Sequence, residues 1–78
     1  MFQMVEAIVV KRSVYDAAQI ILGGRELDEA KPFPLVAKKM EECQAAADKS
    51  GYRFWGEVYN FLIQVKYMNL PVKIIESC

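Results

Sequence analysis

From Asp48 to Asn69 the chain reads DKSGYRFWGEVYNFLIQVKYMN, and no other stretch constrains the fold as strongly. Phe54, Val58, Phe61, Val65 and Met68 follow one another in alternating steps of four and three, flanked by Trp55 and Leu62. That spacing puts them on one face of a helix and makes the face unusually wide. Asn69 and Pro71 end it. A second stripe, Gly56, Tyr59, Ile63 and Tyr67, runs beside the first with Tyr52 one turn before it, leaving Glu57, Asn60 and Gln64 as the polar face. A helix apolar over so much of its circumference needs cover on more than one side, from the first helix or from a second chain. Gly51 and Gly56 are the anomaly, because a glycine inside a helix costs about 1 kcal/mol relative to alanine.

The start of this helix has two readings. Asp48 is a good N-cap, which makes Lys49, Ser50 and Gly51 the first turn and sets Gly51 and Trp55 at i and i+4. Alternatively Gly51 closes the preceding helix and Tyr52 opens the next.

Upstream, Val36, Met40, Cys43 and Ala47 recur at four-three-four spacing, which predicts a surface helix over about Leu35 to Ala47 with one buried stripe. Lys38 and Glu42 add a minor i, i+4 pair on its exposed side. The segment GGRELDEAKPFP before it reads as a connector, since Pro32 and Pro34 lack amide protons and push their predecessors out of helical geometry. Pro34 suits the first turn of the following helix. Ser13 and Asp16 resemble a capping box, and Gly23 with Gly24 is a stop signal, so a helix is expected over about Val14 to Leu22. In MFQMVEAIVVKR, Val5, Ala7 and Val9 alternate as in a strand, while Met4, Ala7, Ile8 and Val14 fit helical spacing; periodicity leaves both open. VKIIES reads as a short strand or an extended tail.

The expected fold is mainly α: a single domain over residues 1–78, with three helices bundled around the last and short extended segments at the ends. The alternative is α+β, with two short terminal strands paired. At 78 residues a single apolar core only just outweighs chain entropy. The hydrophobic fraction of 54% is slightly high for a soluble domain and hints at an interface.

Charge and residue usage narrow the function. Ten basic and ten acidic side chains are interspersed and sum to zero, which disfavours nucleic acid and weakly favours association. Histidine is absent, which removes histidine metal sites and histidine-based nucleophilic catalysis. Two cysteines are too few for a disulfide scaffold and suit a reducing cytoplasm. Cys43 reads as a small core residue, and Cys78 is not placed for prenylation. AIVV is too short for a signal sequence or a membrane span. The carboxylates Glu26, Asp28, Glu29, Glu41 and Glu42 lie in segments that read as solvated, where nothing tunes them for acid/base work. Gly23 and Gly24 lead into a polar connector, so they make a poor phosphate cradle. Only Arg53 and Lys66 interleave with the aromatic residues, so core packing explains those better than stacking on bases.

The spacing Asp48, Gly51, Trp55 in DKSGYRFW, with ELDEA upstream, resembles a group of short bacterial helical proteins of unknown function in which Asp-x-x-Gly-x-x-x-Trp opens the last helix. The resemblance covers roughly Asp28 to Leu62 and implies a small helical fold with no activity attached. Those proteins tend to carry glycine before the aspartate, where this chain has Ala47.

Taken together, these features lead to the expectation of a small, non-catalytic cytoplasmic protein, without cofactor or metal, that acts through protein contacts and most simply with itself. The expected interface of a two-fold dimer is the stripe Tyr52, Gly56, Tyr59 and Ile63. The alternative is a small inhibitor or regulator, of mobile-element origin, that binds a larger enzyme.

Overall fold

The computed structural model describes residues 7–76. Among these, β1 (Ile8–Lys11), α1 (Arg12–Leu22), α2 (Leu27–Ala30), α3 (Pro32–Ala45), α4 (Lys49–Met68) and β2 (Val72–Ile75) follow in chain order. The architecture is mainly α, with the two terminal strands paired in a small sheet. Met4, Val5 and Glu6 lie outside the described residues.

The strands pair in parallel, Ile8 opposite Val72 through Lys11 opposite Ile75. Parallel neighbours need a long crossover, and here the crossover is the whole helical layer. Ile8 and Val10 are buried and Val9 is exposed. The strand pattern is therefore real, but its buried members are of the opposite parity to Val5, Ala7 and Val9. β1 runs directly into α1, with Lys11 in extended geometry as the N-cap and no side-chain cap. The Ser13 and Asp16 pair thus sits inside the helix; Asp16 lies 3.9 Å from Arg12, one turn away. At the other end Gly23 adopts φ 61° and its N–H donates to Gln19 O, so the double glycine does stop the helix.

The connector holds a one-turn helix that the prolines conceal. Glu26 is its extended N-cap, Asp28 and Glu29 oppose the positive end of its dipole, and Leu27 and Ala30 face the core. Lys31, with φ 47°, closes α2 and leads straight into Pro32, the first residue of α3. Both Pro32 and Pro34 fall in the first turn of α3, where backbone N–H groups have no helical partner and a missing one costs nothing. α3 therefore starts three residues before the expected Leu35 and carries Phe33.

The core joins Ile8 and Val10 of β1, Val14 and Ala18 of α1, Val36 of α3, and Val58, Phe61 and Leu62 of α4. Tyr15 meets Phe61 edge-on at 6.0 Å. Phe54 and Trp55 are half-buried, packed on the core and edge-on to each other at 5.2 Å. Val65 and Met68, expected on the core face, are 37% and 49% exposed. The reason is length: α4 has 20 residues against 14 in α3, so its last turns outrun the neighbouring helices.

Candidate functional site

The candidate face is the seam between α3 and α4, and its geometry begins in the turn joining them. The N–H of Asp48 donates to Cys43 O (2.8 Å) and that of Ala47 to Gln44 O (3.1 Å). This double closure is a Schellman motif, which requires a left-handed residue at its centre. That residue is Ala47, with φ 57°. An L-residue there costs about 1–2 kcal/mol of steric strain.

Asp48 ends one helix and caps the next. Its Oδ1 accepts a hydrogen bond from the N–H of Gly51 at 3.0 Å, as the N-cap reading of the sequence requires. Gly51 is fixed by this cap. A Cβ there would stand 2.8 Å from Cys43 Sγ and 2.9 Å from Asp48 Cγ, and still closer to Asp48 Oδ2. Gly51 is therefore kept for the close approach of its own cap and of the preceding helix. Cys43, half-buried on the stripe of α3, is part of that contact.

Gly56 differs. A Cβ at Gly56 would meet only Met40 Cε, at an ordinary 3.8 Å. Among the described residues nothing demands glycine there. Its effect is to lower the floor of a groove along the seam, about 430 Å³ in volume. The groove's less exposed lining is Ala37, Met40, Gly56 and Tyr59, with the exposed Tyr52 beside them. Glu41, Gln44 and Asn60 supply a polar rim.

The four stripe residues fare differently. Tyr52 is 42% exposed, while Gly56, Tyr59 and Ile63 are half-buried. Tyr59 meets Phe33 edge-on at 5.3 Å. Among the described residues the stripe thus meets α3 within the chain, a neighbour that the choice between the first helix and a second chain did not include. Phe33, Ala37, Met40 and Gln44 recur in α3 at four-three-four spacing. That stripe was readable in principle, but a helix begun at Leu35 leaves Phe33 out and hides it.

Two cations ride on the aromatic surface of α4. Lys39 Nζ lies 5.1 Å from the centre of the Trp55 ring, and Lys66 Nζ lies 5.5 Å from Phe33 and 5.4 Å from Tyr67. These contacts shield ring faces that packing leaves open. Glu26, Asp28, Glu29, Glu41 and Glu42 are all exposed. Among the described residues no cluster of three metal-binding side chains occurs, and no helix is long and apolar enough to cross a membrane.

One perturbed pair lies elsewhere. Arg12 Nε and Nη2 both donate to Glu76 Oε2, at 3.0 and 2.7 Å, joining the start of α1 to the end of β2. This hydrogen bonding, then the opposite charge, holds the Glu76 carboxyl below its ordinary range and raises Arg12. Comparison with protein-family models, curated proteins and solved structures gives no match.

Proposed function

We propose that this is a small non-catalytic cytoplasmic protein that acts through protein contacts and associates with a second copy of itself along the α3–α4 seam. The observation that carries the proposal is the groove over Gly56, with a less exposed lining that includes Ala37 and Met40, a polar rim and the exposed ring of Tyr52 beside it. An apolar centre ringed by polar groups is the usual anatomy of a protein interface. A glycine that no described neighbour requires, yet which costs helix stability, is explained by what must enter the groove. In a two-fold pairing each copy supplies both groove and occupant, and Tyr52 and Ile63 extend the contact beyond that lining. Asp48, first residue of the Asp-x-x-Gly-x-x-x-Trp spacing, stands in the turn that sets the two helices side by side.

Light scattering from about micromolar to millimolar concentration, on wild type and Gly56→Leu, tests the reading. Wild type should rise toward twice the monomer mass and the leucine variant, its groove filled, should stay monomeric. Wild type monomeric throughout, or a dimer indifferent to the leucine, overturns it. A wild-type monomer that captures one defined enzyme would instead fit a small inhibitor.

A further inference from the structure

The sheet joins a firmly held strand to a lightly held one. In β1, Ile8 and Val10 are 3% and 6% exposed and belong to the core. In β2, Val72, Lys73 and Ile75 are exposed and only Ile74 is half-buried against the core. β2 is thus retained by its ladder to β1, by the Ile8 N–H donating to Pro71 O (2.8 Å), by the exposed Arg12–Glu76 pair, and by two half-buried side chains on the core, Ile74 and, in the tether, Leu70. Its tether to α4 is the run Asn69, Leu70, Pro71. Asn69 is left-handed, with φ 51° and ψ 44°, and Pro71 holds Leu70 away from helical geometry.

We infer that β2 exchanges between two copies of this chain, the β2 of each pairing with the β1 of the other in a closed, two-fold dimer. The occupant of β1 is thereby defined, because the structure already shows that Val72–Ile75 fits it, residue against residue from Ile8 to Lys11. No new surface is needed; only the hinge changes, from a left-handed turn to an extended link. Short hinges held in a turn are where such exchange begins. The small side-chain burial of β2 keeps the cost of opening low. Exchange at β2 is distinct from docking over Gly56 and goes beyond it: strands opened in mild urea re-pair between chains even with the groove filled, whereas light scattering on protein never taken into urea reads docking alone.

The test uses two full-length chains in a Cys43→Ala, Cys78→Ala background, one with Val9→Cys and the other with Lys73→Cys. These positions are register partners, and both wild-type side chains are exposed. The chains are mixed, concentrated in mild urea, returned to buffer and treated with a short thiol crosslinker. The expected product is a covalent dimer with one chain of each kind, absent when either chain is treated alone. Its absence, or a predominance of Lys73→Cys joined to itself, overturns the inference; the latter means association edge to edge. In a second arm, Asn69→Gly should lower the exchanged fraction and Asn69→Val raise it. A left-handed valine favours opening by about fivefold or more per hinge. If both variants are folded by circular dichroism and exchange to the same extent as wild type, the hinge is not the control point and the inference fails. Gly56→Leu in the mixed pair should leave the covalent dimer intact, which separates failure of exchange from failure of groove docking.

Discussion

Gly51 and Gly56 sit five residues apart on one helix, and the structure predicts opposite signs for the same substitution. Gly56→Ala adds a Cβ in ordinary contact with Met40 Cε at 3.8 Å, so the helix-propensity gain is retained. It should stabilise the monomer by about 0.5–1 kcal/mol. Gly51→Ala puts its Cβ 2.8 Å from Cys43 Sγ and against the Asp48 carboxylate. The carboxylate cannot swing aside without losing the bond it accepts from the N–H of residue 51, and a lost N-cap alone costs about 0.5–2 kcal/mol. Adding the displacement of Cys43 and subtracting the propensity gain leaves a net loss of about 1–3 kcal/mol. In a domain of this size each kcal/mol moves the thermal midpoint by roughly 4–8 °C, so the two variants should separate clearly. Urea unfolding followed by far-UV circular dichroism, at a concentration where each protein is monomeric, measures both. Cys43→Ala in the Gly51→Ala background should recover part of the loss, with a coupling of at least about 0.5 kcal/mol. Shifts of the same sign at both glycines, or strict additivity with Cys43, would refute the reasoning.

Ala47→Gly should stabilise by about 1 kcal/mol, because glycine removes the left-handed strain of the Schellman turn at some entropic cost in the unfolded chain; a fall in the urea midpoint would contradict this. Trp55→Ala should cost about 2 kcal/mol rather than the 3–5 of a fully buried indole, and wild-type fluorescence should peak between buried and exposed values. Glu76 has a folded pKa below its unfolded one, so its bond to Arg12 contributes stability that is present above the ordinary value of 4.5 and lost as pH falls through the lowered folded value. Arg12, which the same hydrogen bond raises further, stays charged throughout that window. Glu76→Gln should therefore flatten this component of the acid limb of a stability–pH profile, and an unchanged limb would discount the pair.

The long helix and its cap were legible because their signals are local. An alternating four-three pattern, a capping aspartate and a terminal Asn-x-Pro act within a few residues of one another, and α4 starts and stops where they place it. The pairing of two terminal strands reads from the sequence only as an alternative, and its parallel direction not at all, since both depend on contacts between the two ends of the chain that no short window contains. The sequence pattern starts α3 three residues late because Pro32 and Pro34 read as breakers, although at the first and third positions of a helix prolines are tolerated. Gly51 illustrates another limit: its neighbour Cys43 lies in the preceding helix, and only the tight turn at Ala47 brings it within reach. The exposure of Val65 and Met68 likewise follows from how far α4 projects past its neighbours, which periodicity does not encode.

The most direct test of association through the α3–α4 face is a dilution series of amide proton–nitrogen correlation spectra, from about millimolar to micromolar. Docking over Gly56 predicts concentration-dependent shifts centred on Tyr52, Gly56, Tyr59 and Ile63, joined by Ala37 and Gln44 across the groove, and absent in Gly56→Leu. Spectra unchanged by dilution, or shifts confined to residues of β1 and β2, would contradict it.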